Sequence, residues 1–80
     1  MRAVVLVTKA DCDLCDQAKR VLALAALEHD LSVREVSLDS EEGRRLGLEA
    51  RAPFPPVVFL DGKPFSYGRL SQRRLWKALA

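Results

Sequence analysis

The chain has 80 residues, 49% of them apolar and 30% charged, a composition that folds rather than one that stays disordered. At this length it makes one small domain, near the limit at which a single core suffices without disulfides or metals. Thirteen Lys and Arg against eleven Asp and Glu leave a net charge of +2, too even a balance for nucleic acid or a membrane to be a main partner.

No apolar stretch approaches the roughly 18–20 residues that span a bilayer. Met1-Arg2-Ala3 runs straight into a strand-like segment and does not read as a signal peptide, so a reducing cytoplasm is the expected compartment. Two cysteines in that setting point to catalysis or metal binding rather than to a structural staple.

Ala3-Val4-Val5-Leu6-Val7 is a continuous apolar run rich in β-branched residues, as in a strand covered on both faces. A long helical pattern follows. Leu14, Ala18, Val21, Leu22 and Ala25 fall on one face, Asp16 and Arg20 sit four apart on the other, and Glu28-His29-Asp30 closes the segment. Leu31 to Leu38 is a second strand with Val33, Val36 and Leu38 as its apolar positions. Its alternation slips at Arg34-Glu35, which fits either a less buried strand or a bulge. Ser40, a capping hydroxyl, precedes Glu41-Glu42 at the start of a helix that Gly43 and Gly47 keep short.

Ala50 to Pro56 is a proline-rich connection into Val57-Val58-Phe59-Leu60, another doubly covered strand. Asp61-Gly62 is a strong hairpin turn, and Phe65 to Tyr67 is the returning strand. Ser71 caps a last helix, stapled by Leu70 and Leu75 and packed through Leu75, Trp76 and Leu79. The order is β-α-β-α-β-β-α, one compact α/β domain over residues 1–80.

Cys12-Asp13-Leu14-Cys15 lies between the first strand and the first turn of the first helix. There the unsatisfied N–H groups and the helix dipole stabilise a thiolate. Cys12 projects from the cap, open to another disulfide, whereas Cys15 lies one turn in, on the side of Ala18 and Leu22. That suits Cys12 as nucleophile and Cys15 as the thiol that resolves a mixed disulfide. A zinc site needs about four ligands, and His29 lies at the far end of the helix, so no metal is expected within one chain. A metal or cluster shared across a dimer and a pair of inert core cysteines are the alternatives. His29 reads as a surface group or a partner of the helix dipole at the C-terminal end rather than a base, and Arg73, Arg74 and Lys77 as a small solvated basic face.

With Thr8-Lys9-Ala10-Asp11 leading into the Cys-x-x-Cys, Pro55-Pro56 before Val57, and Gly68-Arg69-Leu70 ahead of Leu75, the sequence resembles a glutaredoxin of the thioredoxin-like superfamily. The resemblance runs from Ala3 to the last helix. It implies a four-stranded mixed sheet flanked by three helices, and a thiol–disulfide oxidoreductase acting through Cys12 and Cys15. It places the family's cis-proline at Pro56, with Pro55 as the alternative. A cis bond there would turn the preceding backbone N–H and C=O toward Cys12, for pairing with an extended substrate. Lys9 matches the family's lysine near the thiol, and Tyr67 either lines the groove beside the cysteines or only covers the hairpin.

Three departures bear on specificity. Asp13 and Leu14 replace the usual Pro and Tyr, and Asp11, Asp13 and Asp16 surround the pair with negative charge. Either Cys12 ionises less readily than in strongly oxidising relatives, or the acids are solvated helix-start residues without redox consequence. The glycine pair and acid that hold glutathione are missing, with Phe65-Ser66-Tyr67-Gly68-Arg69 in their place. Ser66 to Leu70 is also reminiscent of small redoxins reduced by thioredoxin reductase. No organic cofactor is required. A protein disulfide is the expected substrate, glutathione or another low-molecular-weight thiol or else a reductase the electron donor, and a monomer the expected state. The rival reading is a non-catalytic thioredoxin-fold module that binds partners or senses redox state.

Overall fold

The computed structural model describes residues 1–80. The elements are β1 (Arg2–Thr8), α1 (Asp13–Glu28), β2 (Leu31–Ser37), α2 (Glu41–Glu49), β3 (Val57–Leu60), β4 (Lys63–Tyr67) and α3 (Gln72–Leu79). They form a four-stranded mixed sheet in the order β2-β1-β3-β4, with β1 and β2 parallel and the other neighbours antiparallel. The expected element order and sheet are both present.

Strand alternation splits the core in two. Val4 and Leu6 of β1 and Val58 of β3 join Ala18, Val21, Leu22 and Ala25 of α1, and Leu75 and Leu79 of α3, in the larger cluster. Val7, Val57 and Phe59 point to the other face, where Leu38, Leu46, Ala50 and Ala52 cover them. Leu6, Leu70 and Leu75 are among the largest fully buried side chains. Each contributes about 1.5–3 kcal/mol by leaving water.

β2 departs from expectation at Val33, which is 43% exposed, while Val36 is buried. Its pairing with β1 runs unbroken from Leu31 to Ser37, so the slip at Arg34-Glu35 marks an edge strand rather than a bulge. The register shift lies instead between Val58 and Phe59, opposite β4. β4 begins at Lys63, two residues before the expected start, and accommodates Pro64 because it too is an edge strand.

Each helix start carries a side-chain cap: Cys12 Sγ for α1, Ser40 Oγ for α2 and Ser71 Oγ for α3. Gly43 does more than shorten α2. A Cβ there would collide with the Ser37 carbonyl, so glycine is what lets α2 approach the end of β2. Asp16 and Arg20 are exposed but form no ion pair, whereas Arg34 pairs with Glu42 at 2.8 Å, β2 to α2. Of the two readings of His29, its place is the one at the helix end. It is the C-cap of α1, half-buried, with its ring edge-on to Trp76 at 5.9 Å. No helix is long and apolar enough to cross a membrane.

Candidate active site

The site forms where β1 ends and β3 begins, because antiparallel pairing of Val7 with Val57 brings those two strand ends side by side. Thr8, buried at the end of β1, donates its hydroxyl to the Glu35 carboxylate at 2.7 Å, and Lys19 pairs with the same group at 3.2 Å. The Thr8 hydroxyl first, and Lys19 after it, hold the Glu35 carboxyl below the usual carboxylate range. This fixes β1 to its edge neighbour just before the chain turns into the site. Asp11 makes the turn at φ 54°, a left-handed conformation that Asp tolerates better than most residues.

Cys12 is the N-cap of α1 and Cys15 lies in its first turn, with Cα atoms 5.2 Å apart and the two sulfurs joined. The Cys15 N–H donates to Cys12 Sγ at 3.1 Å. That bond and the start of the helix favour negative charge on Cys12 sulfur when the pair is reduced. Exposure separates the two, since Cys15 is 1% exposed and Cys12 is half-buried at the rim. A reagent from solution meets Cys12 first.

Just before β3, beside the end of β1, the Pro55–Pro56 bond is cis, so Pro56 rather than Pro55 is the proline in that conformation. Pro56 is buried and Pro55 half-buried. One expectation needs correcting here: the residue before Pro56 is itself proline and has no N–H. Of the expected backbone pair only the Pro55 carbonyl is present, as an acceptor without the matching donor. The Pro56 carbonyl is already engaged, accepting from the Gly68 N–H at 2.8 Å.

Tyr67, half exposed at the end of β4, meets the ring of Phe54 edge-on at 5.5 Å. Phe54 is also half exposed and lies against Gly68, where a Cβ would come within 2.9 Å of the ring. Gly68 has φ +72° as well, so both its conformation and the space above it call for glycine. Tyr67 is thus part of an aromatic pair beside the Pro55-Pro56 loop. Lys9 stands exposed after β1 with no carboxylate at ion-pair distance.

Two residues near this wall had no part in the sequence reading. Phe54 was absorbed into the proline-rich connection, although an aromatic between prolines is a signal of its own. Gln17 donates to the Leu70 carbonyl and accepts from the Leu70 N–H, both at 2.9 Å. Its signal was a polar residue three after Leu14 and four before Val21, inside the apolar stripe of α1. No group of three or more His, Cys, Asp or Glu side chains is placed to hold a metal ion.

Residues 3–80 match the family model described as Glutaredoxin-like domain (DUF836), and the chain belongs to that family. No curated protein sequence matches it. Among solved structures it resembles an uncharacterised thioredoxin-like protein from Clostridium perfringens, at 15% identity and TM-score 0.76, over 99% of this chain and 68% of that one. It also resembles a mutant thioredoxin from Halobacterium salinarum, at 20% identity and TM-score 0.69, over 98% and 71%. Glutaredoxin 1 from Francisella tularensis matches at 19% identity and TM-score 0.58, over 96% and 91%. At these identities the likeness is one of fold. The chain therefore carries a glutaredoxin-like domain of thioredoxin-like architecture, with a Cys-x-x-Cys pair at disulfide distance at its first helix start.

Proposed function

We propose that the protein is a thiol–disulfide oxidoreductase that reduces disulfides through Cys12 and Cys15. The observation that carries this reading is the unequal exposure of the pair, one sulfur at the rim of a helix start and its partner 1% exposed behind it. In the forward direction the Cys12 thiolate attacks a substrate sulfur and a mixed disulfide forms. The first substrate thiolate leaves. The Cys15 thiolate then attacks Cys12 sulfur, the Cys12–Cys15 bond forms, and the second substrate thiolate leaves. The substrate gains two electrons and two protons, and the dithiol loses them.

Two electrons from glutathione, another low-molecular-weight thiol or a reductase return the pair to the dithiol. A protein disulfide is the substrate class in this reading. Its backbone donates an N–H to the Pro55 carbonyl, and apolar side chains next to its cysteine rest on Tyr67. Pro56 shapes the wall facing the sulfurs, and Lys9 draws a carboxylate or biases the local potential. The protein works as a monomer, in a reducing cytoplasm.

The test is steady-state reduction of a peptide disulfide, with NADPH oxidation followed in two parallel couples, glutathione with glutathione reductase and thioredoxin reductase alone. Many turnovers per chain in either couple are expected, and the active couple identifies the donor. One equivalent of product thiol followed by arrest in both would contradict catalysis and favour a redox-sensing module.

A further inference from the structure

Leu70 is buried in the connection between β4 and α3, where no strand or helix neighbour serves its backbone. A single side chain serves both groups. Gln17 Nε2 donates to the Leu70 carbonyl and Gln17 Oε1 accepts from the Leu70 N–H, each at 2.9 Å. Two bonds from one planar amide fix the distance and the orientation of the connection together. Gln17 stands two residues past Cys15 on the same helix, so the connection is fastened to the dithiol turn itself.

Two residues before Leu70, the Gly68 N–H donates to the Pro56 carbonyl at 2.8 Å, and Gly68 lies beneath Phe54, which meets Tyr67. The links run from the helix that holds the sulfurs, along the chain from Leu70 back to Gly68, to Pro56 and the Phe54–Tyr67 pair. Resting on the thiol–disulfide reading above, we propose that Gln17 is a positioning residue. It holds the Pro56–Tyr67 wall at one place relative to Cys12, so that a substrate chain meets a ready-made surface to bind beside the attacking sulfur. Gln17 touches neither sulfur. Its loss therefore weakens how substrate is held, before and during attack alike, and leaves the reactivity of Cys12 as it was. A side chain kept only to satisfy Leu70 would affect stability without separating binding from chemistry.

Gln17→Met keeps the stem and loses both hydrogen bonds, while Gln17→Ala loses the stem as well. Three readouts decide the matter: KM and kcat for the peptide disulfide, the pH profile of Cys12 alkylation by iodoacetamide, and amide exchange at Gly68 and Leu70. In both variants KM is expected to rise about three- to tenfold with kcat within about twofold. The alkylation profile stays that of the parent, and exchange at Gly68 accelerates. If the alanine variant fails to fold, Gln17→Glu, which retains the bond from the Leu70 N–H, is expected to give an intermediate KM. Parental KM in Gln17→Met, or unchanged exchange at Gly68, overturns the proposal. Absence of turnover in the parent itself contradicts the oxidoreductase reading instead, and Gly68 exchange then still decides whether Gln17 couples the two walls.

Discussion

The two ends of the sheet are built on opposite principles. At the far end, the Asp61 carboxylate accepts from the Ala3 N–H at 3.0 Å and pairs with Arg2, while the Asp61 N–H donates to the Ala3 carbonyl at 2.7 Å. The Arg2 N–H donates to the Asp30 carbonyl at 2.9 Å, and the terminal ammonium lies 3.8 Å from the Asp30 carboxylate. Charge there meets charge, and the connection from β3 to β4 is a two-residue turn. At the dithiol end, Lys9, Asp11 and Asp13 are exposed and belong to none of the four ion pairs. The chain there arrives through a proline-rich loop, and two aromatic rings stand half in solvent. One end spends its polar groups on closing the sheet, the other leaves Lys9, Asp11 and Asp13 in solvent.

Substitutions can break this contrast in graded ways. The largest effect belongs to the open end: Cys12→Ala is expected to lower turnover at least about a hundredfold, because no other nucleophile reaches the rim. Stability of the reduced protein should fall by about 0.5–2 kcal/mol through loss of the α1 cap, as denaturant melts under reductant would show. Cys15→Ser should instead accumulate covalent mixed disulfides, visible by mass spectrometry, since the resolving attack is lost. Full activity in Cys12→Ala would reverse the assigned roles.

A core substitution should erase the distinction. Leu75 is 0% exposed in the cluster that joins α3 to α1 and the sheet. Leu75→Ala is expected to lose about 2–5 kcal/mol of stability in chemical denaturation, weakening both ends together. Smaller again is Gly68→Ala, which combines a positive φ with a Cβ pressed on Phe54. It should lose about 1–3 kcal/mol and raise KM by displacing the aromatic pair.

The smallest change is expected at the closed end. Asp61 is held below the usual carboxylate range first by the Ala3 N–H and then by Arg2. A carboxyl depressed in the folded state contributes stability that is full above its unfolded value and lost as pH falls through the folded one. Asp61→Asn should therefore lower Tm slightly at neutral pH and flatten the acid-side decline that sets in as pH falls through the ordinary aspartate value of about 3.9. Turnover should not change. Thermal melts across that range check the sign, and a loss of activity in this variant would show that the two ends are not separable.

Legibility in the sequence followed the same division. β1, β3 and α1 announce themselves because burial on both faces, or along one stripe, leaves an unbroken apolar pattern. The hairpin turn and the serine caps are local chemistry and are equally visible. β2 was ambiguous because an edge strand has one unpaired side, so Val33 need not be buried and the alternation alone cannot separate an edge from a bulge. The cysteine pair was legible from placement and spacing. The wall opposite was less so, because Phe54, Gly68, Gln17 and Leu70 meet only through tertiary contacts between segments some fifty residues apart in the case of Gln17 and Leu70. The missing donor at Pro55 was written in the sequence, yet it acquires meaning only once Pro56 is the proline that stands in the wall.

The central claim is that Cys12 and Cys15 form a reversible two-electron couple. The measurement that tests it most directly is a redox titration of the purified chain in dithiothreitol buffers, read by the two-dalton mass difference between dithiol and disulfide. A single reversible transition at roughly −200 to −270 mV, between glutaredoxin and thioredoxin values, is the expected result. Failure to form the internal disulfide at any poise would contradict the account and leave the glutaredoxin likeness as one of fold alone.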